Sequence, residues 1–174
     1  MTTAKKTAAK KTPATARAAM SDATLLLSRD HAEVKKLFKQ YDKLAEAEAD
    51  GDERQALARQ ICSMLTVHAT VEEEIFYPAA REAEVDSDLL DEAEVEHASA
   101  KDLIAQIEAM GPDDELYDAK VKVLGEYIDH HVQEEEGEMF PKCRKADMDL
   151  AELAQQLSER KAELMEEVGE AEPA

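Results

Sequence analysis

Apolar residues recur along this chain at spacings of three and four. Tyr117, Val121, Leu124, Ile128 and His131 follow a 4-3-4-3 rhythm, and Leu57, Ile61, Met64 and His68 follow 4-3-4. Such a stripe covers one side of an α-helix and forms the seam of a left-handed bundle. Punctuation residues divide the pattern into segments. Ser21 and Asp22 can cap a first helix that runs to about Asp50, where Gly51 breaks it. Asp52 opens a second helix that reaches Pro78 and beyond. Ser87 or Asp88 starts a third, which ends before Gly111-Pro112, and Asp113 or Asp114 starts a fourth that reaches Pro141. A fifth, less strongly patterned helix lies around Asp149–Val168. Connections of a few residues between long helices make neighbours antiparallel. The expected fold is therefore all-α. An up-down-up-down four-helix bundle occupies residues 21–142, and a helical extension occupies 143–174.

Composition supports this reading. Of the 174 residues, 44% are hydrophobic but only 4% aromatic, and there are just five Gly and five Pro. A chain rich in Ala, Glu, Leu and Lys and poor in β-branched residues favours helix over a β-sandwich or a parallel-sheet enzyme. No apolar run approaches the roughly 18 residues of a membrane span. The net charge is −20, unevenly spread. Residues 1–20 hold five Lys or Arg and no acid, so the remainder carries 16 basic against 41 acidic groups, a net −25. That body repels nucleic acid. The first twenty residues lack Leu, Ile, Val and every aromatic, so they cannot bury a face and are expected to be disordered. They have neither the amphipathic stripe of a transit peptide nor the apolar stretch of a secretory signal. A solubilising tail with weak contacts to an acidic surface fits them. Cys62 and Cys143 are far apart and read as thiols of a reducing compartment, which points to the cytoplasm.

An internal repeat preserves the histidines. Asp30-His31-Ala32 matches Glu96-His97-Ala98, followed by Lys35 with Lys101, Leu37 with Leu103 and Phe38 with Ile104. His68-x-x-x-Glu72-Glu73 runs on to Phe76-Tyr77-Pro78, and His131-x-x-x-Glu135-Glu136 runs on to Met139-Phe140-Pro141. Residues i and i+4 stack on one helix face, so His68 and Glu72 point to one place, as do His131 and Glu135. Counting along the helices at about 1.5 Å per residue puts all four histidines near mid-height. They occupy seam positions that would otherwise be Leu or Ile. A lone seam histidine is ordinary core. Four at one level with two carboxylates are not, because burying each carboxylate without a charge partner costs several kcal/mol. A bound cation removes that cost. His31, His68, Glu72, His97, His131 and Glu135 are the candidate ligands. His130 lies about 100° off the seam, on the surface or supporting a ligand. Glu73, Glu74, Glu134, Glu136 and Glu138 are expected on a solvated face.

Imidazole with carboxylate suits iron, zinc or manganese, and the lack of thiolates disfavours a soft metal. Six protein ligands exceed what one zinc takes and fit two six-coordinate ions. Of about twelve bonds, four histidines supply four, two bridging glutamates four, and a bridging oxide or hydroxide two. About two positions stay open for oxygen, peroxide or nitric oxide. Two non-haem iron ions are the expected cofactor, with a small diatomic ligand or peroxide as partner.

Over residues 22–142 these motifs resemble the hemerythrin-like, or HHE cation-binding, family. The resemblance implies a four-helix bundle around a di-iron centre whose members handle oxygen, nitric oxide, peroxide or iron itself. Oxygen-carrying hemerythrins have His-x-x-x-His on the third helix and an Asp ligand on the fourth. Here Lys101 follows His97 by four, and Glu135 replaces the Asp. The expectation turns from reversible oxygen storage towards sensing, peroxide or nitric oxide chemistry, or iron homeostasis. Two alternatives belong to other classes. A ferritin-like carboxylate protein would carry Glu-x-x-His on two helices, and only Glu94-x-x-His97 fits. A metal-free helical interaction protein is the other.

Overall fold

The computed structural model describes residues 22–171. The described residues are helical, with no strand among them. Helices α1 (Ala23–Glu46), α2 (Gly51–Val71), α4 (Ser87–Glu108) and α5 (Tyr117–Glu134) form the four-helix bundle. Their neighbours run in a closed ring: α1 on α2, α2 on α4, α4 on α5 and α5 on α1. Each of α2 and α5 continues through one π-helical turn, Glu72–Phe76 and Glu135–Met139, into a short helix. These are α3 (Tyr77–Glu82) and α6 (Phe140–Lys145). The final helix, α7 (Leu150–Ala171), lies across α1, α2 and the first π turn.

Aspartates set most helix starts. Asp22 Oδ1 accepts from the Thr24 and Leu25 amides at 2.9 and 3.3 Å, and Asp50 and Asp86 cap α2 and α4 in the same way. The break after α1 differs from the sequence expectation. The chain turns at Glu48, in the left-handed region with φ of 50°, and the Ala49 amide closes on Leu44 O at 2.9 Å. Gly51 is then the first residue of α2. A Cβ there would stand 3.1 Å from the Pro112 side chain, so glycine lets two loops meet. The fourth helix also begins later than its aspartates suggest. Asp114 Oδ2 accepts from the Gly111 amide at 2.7 Å, closing a turn that delays the start to Tyr117.

The π turns answer to Pro78 and Pro141. A proline inside a helix lacks an amide and its ring strikes the carbonyl four residues back. Here the preceding amides reach five residues back, Tyr77 to Glu72 O and Phe140 to Glu135 O. The widened turn accommodates the proline and places Glu72 and Glu135 at its first position.

Two apolar layers result. One holds Tyr41, Ile61, Leu65, Tyr117 and Leu124; the other holds Leu27, Phe76, Leu90, Met139 and Phe140. Leu153, Ala154 and Leu157 of α7 complete the second layer, so the last helix shares the bundle's core. Buried histidines and glutamates from all four bundle helices interrupt this apolar core.

Candidate metal centre

Six buried side chains meet at mid-height: His31 from α1, His68 and Glu72 from α2 and its π turn, His97 from α4, His131 and Glu135 from α5 and its π turn. These are the six donors anticipated from the repeat. His31 Nε2 faces His68 Nε2 at 3.0 Å, and His97 Nε2 faces His131 Nε2 at 3.1 Å. Glu72 lies between the two pairs, with Oε1 3.2 Å from His68 and Oε2 3.4 Å from His97. Glu135 reaches both sides through one oxygen, its Oε2 lying 3.3 Å from His31 and 3.5 Å from His131.

The outer ring nitrogens obey the same twofold pattern. Asp30 accepts from His68 Nδ1 at 3.3 Å, and its repeat counterpart Glu96 accepts from His131 Nδ1 at 2.7 Å. Glu73 accepts from His97 Nδ1 at 2.9 Å, and its counterpart Glu136 accepts from His31 Nδ1 at 2.9 Å. Glu73 and Glu136 thus stay on the solvent-facing side, at 31 and 42% exposure, while each reaches inward to a histidine. Each Nδ1 proton is committed outward, which assigns the Nε2 lone pairs to the interior. Glu74, by contrast, pairs with Arg160 at 2.7 Å, and Glu94 pairs with Arg81 at 2.8 Å, away from the cluster.

One contact breaks the twofold symmetry. Tyr77 donates its hydroxyl to Glu135 Oε1 at 2.8 Å and lies 3.3 Å from His97 Nε2. At the equivalent position Phe140 stacks on His31, with ring centroids 5.9 Å apart and planes within 5°. In the sequence Tyr77 stands out only as the neighbour of Pro78, and no spacing marks its hydroxyl.

The cluster fits a cation. Both oxygens of Glu72 and Oε2 of Glu135 are buried without a hydrogen-bond partner. Unpaired carboxylates at 0 and 1% exposure are expensive. Lone pairs facing each other at 3.0 Å also repel unless a positive charge lies between them. Donors at right angles on bonds of about 2.1 Å stand about 3.0 Å apart, close to the imidazole separations seen here. Two groups can each hold an ion: His31, His68, Glu72 and Glu135, and Glu72, His97 and His131.

Without a metal, protons take the same role. Burial pushes the His68 imidazole down, but the Glu72 and Asp30 carboxylates outweigh it and hold it up at about 10. Burial likewise raises Glu72, and the His68 and His97 rings reverse this, holding it well below the carboxylate range. Burial and the Glu72 and Glu135 charges push the Tyr77 phenol well up, so it stays a donor.

Residues 22–143 match the hemerythrin HHE cation-binding domain, and the chain belongs to that family. Its fold is similar to the crystal structure of an HHE cation-binding domain-containing protein from Mycobacterium kansasii. That likeness has a TM-score of 0.67 at 23% identity, covering 82% of this chain and 86% of the other. The chain is also 30% identical over 119 residues to a DNA nickase from Nostoc sp.. The match takes in 68% of this chain but spans only 32% of the nickase.

Proposed function

We propose that this chain is a non-haem di-iron protein that binds a small ligand: oxygen, nitric oxide or peroxide. The observation that supports the ligand class is a cavity of about 30 Å³ against the four histidines. Val34, Met64, Leu65, Ile104, Ile128 and Val132 wall it with hydrocarbon. Its size suits one or two water-sized molecules and excludes an organic substrate. Val34, Ile128 and Val132 also floor an open groove of about 330 Å³ between α1 and α5, so solvent lies one layer of side chains away.

His31, His68, Glu72 and Glu135 would hold one iron, and Glu72, His97 and His131 the other. A bound iron pair supplies exchangeable coordination positions and electrons. The chain's own residues do the remainder. Asp30, Glu73, Glu96 and Glu136 orient the imidazoles, the apolar wall excludes bulk water, and Tyr77 holds a proton at Glu135 Oε1. The two free, buried cysteines accord with a reducing, cytoplasmic setting. DNA cleavage is not carried over from the nickase, because the body's net charge of −25 repels a phosphate backbone.

Metal analysis after anaerobic iron(II) loading tests the proposal. Two irons per chain are expected, falling steeply in His131→Ala. Saturation at one ion overturns the pair. Oxygen, nitric oxide and peroxide are then added in turn, and an optical spectrum unmoved by all three overturns the small-ligand reading.

A further inference from the structure

Outside the buried cluster, a second set of donors meets on the surface between α4 and α5. His130 is well exposed, its side chain at 66%. Its Nε2 stands 3.5 Å from Glu96 Oε1 and 3.4 Å from Glu134 Oε1. Glu134 lies one turn beyond His130 on α5, and the pairing of α4 with α5 brings Glu96 alongside. Asp91 and Glu92 rim the shallow dish in which they sit.

The separations are informative. A charge-assisted hydrogen bond from an imidazole N–H to a carboxylate closes to about 2.7–2.9 Å. His131 does so on the other oxygen of Glu96, at 2.7 Å. Neither carboxylate closes on His130 in that way. Both stand back at the distance between corners of a tetrahedral cation site, about 3.4 Å for bonds of about 2.0–2.1 Å. All three donor atoms lie within 4.8 Å of one another. Glu96 is also no free surface acid. His131 fixes its Oε2 inward, which leaves Oε1 turned towards His130.

We propose that Glu96, His130 and Glu134 form a surface site for a divalent cation of the zinc(II) or iron(II) type, joined to the buried cluster through Glu96. One imidazole and two carboxylates select such a borderline cation over magnesium or calcium, which prefer all-oxygen shells. Three protein donors leave a position to water, so the ion exchanges with solvent. It sits one carboxylate away from His131, whose Nδ1 proton Glu96 Oε2 accepts at 2.7 Å.

Zinc(II) titration of the iron-loaded full chain, by calorimetry in excess magnesium to fill the general acidic surface, tests the site. The wild-type chain is expected to take one zinc more than His130→Ala. Glu134→Gln should weaken the same step by at least the roughly tenfold that loss of even an outer partner costs a metal site. The iron content of both variants should match wild type. Equal zinc uptake by wild type and His130→Ala overturns the site. This comparison between proteins stands whether or not the buried cluster holds iron. The link through Glu96 does rest on the di-iron reading, and its readout is separate. Zinc should shift the iron absorption of the wild type and leave that of His130→Ala unmoved. An unshifted wild-type spectrum with zinc bound overturns the link.

Discussion

Tyr77 is the residue at which the two halves of the site differ. Its hydroxyl is the partner of Glu135 Oε1, and burial with two carboxylates nearby keeps it protonated. Tyr77→Phe should therefore leave a buried carboxylate oxygen unpaired and destabilise the metal-free protein by about 1–3 kcal/mol. Urea unfolding measures this, and an unchanged midpoint would mean that Glu135 finds another donor. The cysteines make the opposite case. Burial pushes Cys62 up to about 12 and Cys143 up to about 11, so neither offers thiolate at neutral pH. A thiol reagent should label neither in the folded chain and both after unfolding. The six central donors are legible in the sequence because the repeat states them twice at helical spacing. Their supports are not. Glu73 and Glu136 follow the inward glutamates by one residue, about 100° round the helix. Only the neighbouring helix brings His97 and His31 against them.

At the scale of the element, the two π turns decide where Glu72 and Glu135 point. Each begins at a central glutamate and ends two residues before a proline. Helix existence and order follow from the apolar spacing, but a π turn carries no periodic signal; Pro78 and Pro141 are its trace. Deleting Glu74 should close the first turn to regular helix, which leaves the residues beyond it near their present orientation but drives the Pro78 ring onto the carbonyl four residues back. The strain would fall on Glu72, at the head of the turn. Iron retained through gel filtration should fall to a small fraction of wild type, whereas Glu74→Ala, which loses only the surface pair with Arg160, should keep its metal. Similar retention in both variants would make the turn incidental. The fifth helix shows the same limit of sequence reading. Its stripe predicts a helix, but its place on the core follows from packing. Lys161 of α7 pairs with Asp30, which in turn holds His68, so the last helix reaches the centre through two contacts.

For the whole molecule, protons and the proposed metal would compete for one buried space, and the direction with pH follows. In the metal-free chain the raised His68 stabilises below its ordinary value of 6.5, and that contribution is lost as pH climbs towards about 10. The depressed Glu72 stabilises above its ordinary 4.5 and loses that contribution in acid. The melting temperature of the metal-free protein should peak between these values and decline in alkali. Bound metal needs neutral imidazole, so the iron-loaded chain should instead hold its melting temperature in alkali and lose it in acid. Parallel alkaline declines in both forms would contradict this. The basic tail, residues 1–20, lies outside the described residues. The crosswise carboxylates also make the two hairpins interdependent. Glu136 of the second hairpin steadies His31 of the first, and Glu73 of the first steadies His97 of the second. Neither hairpin owns a complete pocket. Cut in the connection between α4 and α5 the chain would lose contacts within the second hairpin, but cut between α3 and α4 it becomes two obligate complements. Each fragment alone should retain little iron, and mixing them should restore both folding and metal together.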